Sequence, residues 1–206
     1  MFYKSISTIL ILSVLNSCNK QTESPNIIMM IGDGMGISQV STSMYSNDNY
    51  TPLERSEYIG LSKTHAFDDL ITDSAASGTA LSSGVKTYNG VLGLDKDFNP
   101  VKSILEICRD KGYMTAILVT STIVHATPAA YYSKSKNRYE YDNIAAELSE
   151  SNINLFVGGG ERYFNDREDN RNLIEEMDKY LFVNNLEEYK NTDSKNIGFF
   201  TAYDDP

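Results

Sequence analysis

The sequence predicts an α/β fold, a three-layer sandwich in which a mostly parallel sheet lies between layers of helices. Three observations carry this expectation. Short runs of purely apolar residues stop at glycine, as strands buried on both faces do. Segments of helical period lie between those runs. Their order, strand, helix, strand, helix, strand, favours a parallel sheet with helices on both faces.

The chain opens on a segment that stands outside the fold. Lys4 precedes the apolar run Ile9-Leu10-Ile11-Leu12, which extends to Val14-Leu15. That run falls short of the ~20 residues needed to span a bilayer and has the layout of an export signal. It ends in Leu15-Asn16-Ser17-Cys18, which resembles a bacterial lipoprotein box with Cys18 as the acylated first residue of the mature chain. The alternative is an ordinary signal with an incidental cysteine. Two acyl chains on one residue would meet the two-anchor requirement for stable membrane attachment. The expected division is therefore a signal over 1–17, a polar tether over 18–25 and a domain over 26–206. The expected location is exported, periplasmic or anchored to a bacterial membrane.

Within the domain, Ile27-Ile28-Met29-Met30-Ile31 is continuously apolar and stops at Gly32, which predicts a buried strand. Asn99 followed by Pro100 predicts a helix start, because asparagine caps well and proline suits the first turn. Val101, Ile104, Leu105 and Cys108 then recur at helical spacing, and Gly112 supplies a left-handed stop. Thr115 to Thr120 reads as a second buried strand and Asn143 to Leu148 as a helix. Leu155-Phe156-Val157 reads as a strand closing on Gly158-Gly159-Gly160. Beyond Glu161 the chain becomes charged and weakly periodic, and Asp166 to Arg171 reads as a solvated face.

Composition narrows the chemistry. At 206 residues, 41% apolar and 22% charged, the chain can bury a real core. Eighteen Lys and Arg against 28 Asp and Glu give a net charge of −10, and loss of residues 1–17 removes only Lys4, leaving −11. A phosphate backbone calls for clustered cations, so nucleic acid is excluded as a partner, while the acid excess fits cation binding. Two cysteines, at 18 and 108, make no disulfide framework, and His65 and His125 are very few histidines for a zinc enzyme.

Four stretches carry candidate chemistry. Gly32-Asp33-Gly34-Met35-Gly36 directly follows the first apolar run. A dinucleotide loop is disfavoured there: Asp33 would repel phosphate oxygens, and the fingerprint's final glycine is missing. A cation held by Asp33 at a strand end, or Asp33 capping a tight turn, both suit the residues. Asp73-Ser74-Ala75-Ala76-Ser77-Gly78-Thr79-Ala80 reads as a closely packed helix capped by Asp73. The same geometry would set Ser74 in the positive first turn, where an alkoxide or an attached phosphate is stabilised. A serine hydroxyl needs a base or metal to become a nucleophile, and no histidine lies nearby in sequence, which points to a metal. Thr127, ahead of Pro128, reads as a helix cap or a ligand. Arg138 reads as solvent-facing charge or as a grip on two phosphate oxygens.

Together these stretches resemble the alkaline phosphatase family. The match runs through Ile28 to Gly36, then Gly60-Leu61-Ser62-Lys63-Thr64, Thr72 to Ala76, Gly84-Val85-Lys86-Thr87 with Gly90, and His125-Ala126-Thr127-Pro128-Ala129 with Arg138. It covers about Pro25 to Gly160. The resemblance implies that family's sandwich, in its N-terminal half only, and hydrolysis of phosphate monoesters through a phosphoserine at a site of two zinc ions and one magnesium. Residue by residue it implies Asp33 bridging a zinc and the magnesium, Ser74 as nucleophile beside that zinc, and Thr127 on magnesium. It further implies Arg138 holding the phosphate and Asp73 orienting Arg138. His125 stands where some members carry Asp and others His, suiting a partner of magnesium-bound water or a zinc ligand; His65 matches no ligand and is expected to be structural.

The family's other ligands, two aspartates, three histidines and a glutamate, belong to its second half, and no histidine follows His125 here. The chain thus reads as an amino-terminal part, with little or no phosphatase activity expected of it in isolation. Sulfatases and phosphodiesterases of the same superfamily are alternatives, as is a noncatalytic exported lipoprotein that binds a cation or a partner protein. A second copy of the chain is a further candidate partner.

Overall fold

The computed structural model of the chain describes residues 25–206, which fall into two units, 25–32 and Asp33–Pro206. The expected export signal and Cys18 lie outside the described residues. In the first unit, Ile27 to Ile31 departs from expectation: it is assigned to no strand, and its side chains are open, from 39% exposed at Ile31 to 90% at Met30. An apolar run becomes a buried strand only when neighbours take up its backbone polar groups and layers cover its faces. The run itself does not specify those neighbours.

The second unit opens with helix α1 (Ile37–Ser46), a 3-10 turn at Pro52–Arg55 and an irregular stretch to Asp73. Helices α2 (Ser74–Ser83) and α3 (Ile104–Asp110) precede strand β1 (Ala116–Thr122). Helices α4 (Ala126–Ala129) and α5 (Tyr141–Glu150) lead to β2 (Leu155–Gly159). Helices α6 (Arg162–Asn165) and α7 (Leu173–Glu176) lead to β3 (Leu181–Phe182), and α8 (Leu186–Lys190) to β4 (Ile197–Phe200). The four strands form one sheet in the order β1-β2-β4-β3, every pair parallel, with Ala116 opposite Leu155, and Leu155 and Leu181 both opposite Ile197. Parallel neighbours need crossovers, and helices supply them, as the alternation in sequence predicts. The architecture is α/β, a parallel sheet with flanking helices.

The core centres on β2. Phe156 is fully buried and meets the rings of Phe164, Tyr180, Phe182 and Phe200 at centroid distances of 5.6–6.2 Å. Helix α5 presses Ile144, Ala145 and Leu148, all fully buried, into the same cluster. At the other end of the sheet, Leu118 on β1 stays 64% exposed.

Two local expectations are corrected. The helix after Asn99-Pro100 begins at Ile104, because the Asn99 amide turns to Asp95 at 3.2 Å and Pro100 bridges Leu94. Ser103 and Glu106 form a reciprocal capping box instead, with bonds of 3.1 and 2.8 Å, and that pair satisfies two backbone donors at once. Gly112 follows the helix in the left-handed conformation, φ +82°. The run Asp166 to Arg171 is not a solvated face throughout. The Arg167 side chain is only 2% exposed and donates to the carbonyls of Asp142 and Tyr163, at 2.7 and 3.0 Å, and to Asp169 at 2.6 Å. Its guanidinium fork satisfies three acceptors together, which is what allows a charge to be buried.

Candidate active site

The site is built on the first turns of two helices. Asp73 caps α2: its backbone is extended and its Oδ1 accepts the Ala76 N–H at 2.9 Å. Behind that cap the helix is nearly all small residues, with Ala75, Ala76 and Gly78 buried. At Gly78 an added Cβ would lie 3.0 Å from the Ala130 Cβ, so the stripe lets α2 press against α4. The close approach brings two hydroxyls from the starts of these helices to one carboxylate. Ser74, the first residue of α2, places its Oγ 3.1 and 3.2 Å from the two oxygens of Asp33. Thr127 donates its Oγ1 to Asp33 Oδ2 at 2.7 Å. Asp33 itself is exposed, in a turn where Gly34 takes a φ of +66°. Thr127 therefore turns its hydroxyl to Asp33, and α4 has no side-chain cap, His125 standing at the cap position.

A second group adjoins the first through Asp73. Arg138, its side chain 15% exposed, donates from Nη1 to Asp73 Oδ2 at 3.1 Å, and its Nη2 lies 3.4 Å from His125 Nε2. The guanidinium also stacks on the Tyr139 ring at 5.6 Å. The default of a solvent-facing Arg138 is thus corrected: an ion pair and an aromatic face hold it half-buried beside the cap of α2. Asp33, Asp73, Ser74, Thr127, His125 and Arg138 fall into two adjoining clusters. His65 stands apart, exposed, with Nδ1 on the Ala66 carbonyl at 2.7 Å and its own carbonyl taken by the Lys86 ammonium.

One member was missed by sequence reasoning. Asn89 accepts the Asp73 N–H at 2.8 Å and donates to the Ile71 carbonyl at 2.9 Å. The available signal was the Asn89-Gly90 dipeptide, which marks a tight turn without saying what it serves.

The electrostatics favour both a cation and an anion. The Asp33 cluster offers one carboxylate and two hydroxyls, all oxygen, which suits a hard cation such as magnesium. It does not suit catalytic zinc, which takes about three protein ligands, commonly nitrogen or sulfur. Among the described residues no three His, Cys, Asp or Glu side chains gather into a metal-binding group. On the other side, the positive end of α2 and the Arg138 guanidinium favour a tetrahedral anion over Ser74.

Comparison with known proteins places the chain in a family. The alkaline phosphatase family model matches residues 24–204. Alkaline phosphatase 4 of Bacillus subtilis is 39% identical over 205 residues, covering 89% of this chain and 44% of its own. Alkaline phosphatase 3 of the same organism is 38% identical over 197 residues, covering 87% and 42%. The chain thus spans less than half the length of these curated relatives. Among solved structures, the alkaline phosphatase of the Antarctic bacterium TAB5 superposes with a TM-score of 0.79 at 33% identity, over 84% of this chain and 52% of that one. A variant of that enzyme with magnesium bound in its M3 site gives 0.80, covering 84% and 51%. With match, identity and fold in agreement, the chain belongs to the alkaline phosphatase family.

Proposed function

We propose that these residues carry phosphoryl transfer from phosphate monoesters, with Ser74 as the nucleophile and a phosphoserine as the intermediate. The observation that supports this reading is the convergence of Ser74 and Thr127 on the Asp33 carboxylate at the positive end of α2, next to Arg138. In the first displacement the Ser74 Oγ–P bond forms as the bond from phosphorus to the leaving alcohol breaks. Asp33, already the acceptor of the Ser74 hydroxyl, takes its proton and passes it to the departing alkoxide, which leaves as the alcohol. In the second, the oxygen of water bonds to phosphorus as the Oγ–P bond breaks; one proton of the water passes to Ser74 Oγ and the other leaves with inorganic phosphate. Arg138 grips the non-bridging oxygens through both steps, and its charge is worth most where negative charge is spread over them. The Asp73 ion pair keeps the guanidinium from following the departing phosphate.

Asp33 and Thr127 are the residues that would hold magnesium, with His125 beside the site. Bound there, magnesium would supply positive charge next to the serine oxygen. Of the zinc ligands that the family resemblance implies, Asp33 and Ser74 are here, and no zinc-dependent step follows from these residues alone. We also propose that the chain is exported and tethered by lipid at Cys18. Mass analysis of the mature chain for acyl groups tests that: an unmodified Cys18 contradicts it.

The test of the reaction is hydrolysis of an aryl phosphate by the chain with zinc and magnesium. The expected result is little or no steady turnover, all of it abolished in Ser74→Ala and reduced at least a hundredfold in Arg138→Ala, the size of a lost transition-state contact. Turnover that survives Ser74→Ala contradicts the assignment of the nucleophile. Robust turnover lost in Ser74→Ala keeps the nucleophile and overturns the expectation that the chain is nearly inactive.

A further inference from the structure

We propose that Asn89 is a positioning residue, and that the Asn89-Gly90 turn is the jig that holds Asp73 and Arg138 in fixed relation to Ser74; the inference deepens the proposed function and rests on it. Asp73 does two things at once. Its Oδ1 caps α2 through the Ala76 N–H, while its Oδ2 receives both Arg138 Nη1 at 3.1 Å and the Gly90 N–H at 2.9 Å. A carboxylate can divide its oxygens this way only if its backbone and its χ angles are both held.

Asn89 holds the backbone. Its Oδ1 takes the Asp73 N–H and its Nδ2 gives to the Ile71 carbonyl, so one amide spans the peptide units on either side of Thr72, just ahead of the nucleophile. The two bonds need opposite ends of the amide, which fixes its orientation. Gly90 holds the side chain from the other direction, and its carbonyl accepts the Arg138 N–H at 2.8 Å. The result is a closed circuit: Asp73 to Asn89, Gly90 to Asp73, Arg138 to Gly90, and Arg138 back to Asp73. Gly90 can take part because its φ is +83°, a conformation in which a side chain would be strained.

The turn has firm support of its own. Tyr88, just before it, stacks on Phe98 at 5.6 Å and meets Phe67 edge-on at 5.4 Å. Asn89 meanwhile is exposed, and both of its bonds lie at the surface. Its bonds therefore contribute little to overall stability and much to where Asp73 and Arg138 stand. Catalytic and binding groups need such supporting contacts to be held within a fraction of an ångström.

The experiment compares the full chain with Asn89→Ala, and with Asn99→Ala as a control at an exposed asparagine outside the site. Three quantities are read: melting temperature, the Arg138 guanidinium signals by nuclear magnetic resonance with amide exchange at Asp73 and Gly90, and affinity for inorganic phosphate in magnesium. In Asn89→Ala the melting temperature stays within a few degrees of wild type. The Arg138 signals broaden and both amides exchange faster. Phosphate affinity falls about tenfold, the scale of one lost hydrogen bond passed on to a charged contact. Unchanged signals and exchange in a folded Asn89→Ala overturn the proposal, as does the same loss in Asn99→Ala. If Asn89→Ala does not fold, Asn89→Asp retains the acceptor for the Asp73 N–H, loses the donor to Ile71 and sets a second negative charge near Asp73. Its expected mark is faster exchange at Gly90 and broadened Arg138 signals, and their absence overturns the proposal. A wild-type chain that binds no phosphate counts against the phosphate reading alone, since the guanidinium signals and exchange rates still decide the role of Asn89.

Discussion

Ile27-Ile28-Met29-Met30-Ile31-Gly32 and Leu155-Phe156-Val157-Gly158-Gly159 carry nearly the same signature: an apolar run, no charge, a glycine stop. Their fates differ. The second is β2, paired on one edge to β1 and on the other to β4, with Phe156 fully buried among four aromatic rings. The first is assigned to no strand, and Met30 is 90% exposed. The pattern states what a segment wants, an edge partner and two covered faces; whether it gets them depends on residues far away in the chain.

The sharpest way to break the comparison is a pair of truncations. Phe156→Ala should cost about 3–5 kcal/mol, because it empties a fully buried site. Ile28→Ala should change stability by less than about 0.5 kcal/mol, as expected of an open position. Urea unfolding of both variants measures this, and equal costs would mean that the first run is packed after all.

Much of the fold was legible for the reason that β2 was. The helix with Ile144 and Leu148 and the strands at 116–122 and 155–159 are long enough to show their period. What escaped was short or non-local. β3 is two residues long and β4 is interrupted by Gly198, so neither run announces a strand. Asn99 lost its capping role to a competing bond with Asp95, and Arg167 is buried by carbonyls that no local pattern reveals. At the site, Asp33, Ser74, Thr127 and Arg138 stand in stretches whose residue types already point to cation and phosphate chemistry. Asn89 did not, because its partners Ile71 and Asp73 lie 18 and 16 residues away.

A second prediction extends the comparison to Asp33, which follows the open run and is held by two hydroxyls. Ser74→Ala combined with Thr127→Ala should free residues 33–36, speeding amide exchange there at least tenfold, by loss of two bonds of about 1 kcal/mol each. Exchange in β2 should not change. Equal rates in wild type and double variant would show that something else holds Asp33.

The third concerns a charged run that behaves unlike its composition. The Arg167 guanidinium, with the Arg171 N–H, holds the Asp169 carboxyl down to about 2, below its usual 3.8. A carboxylate depressed in the folded state adds stability above its ordinary value and loses it as pH falls from there toward 2. Asp169→Asn should therefore lower the melting temperature by a few degrees at neutral pH, with the difference shrinking below about pH 4 and gone near pH 2. A difference independent of pH would refute the ion pair's part in it.

The most direct test of the account is the covalent state of Ser74. After incubation with an aryl phosphate, zinc and magnesium and rapid acid quench, peptide mass spectrometry should find one phosphate on Ser74, and none in Asp33→Ala or Arg138→Ala. An unmodified Ser74 in the wild-type chain, or phosphate that still reaches Ser74 without Asp33, would contradict it.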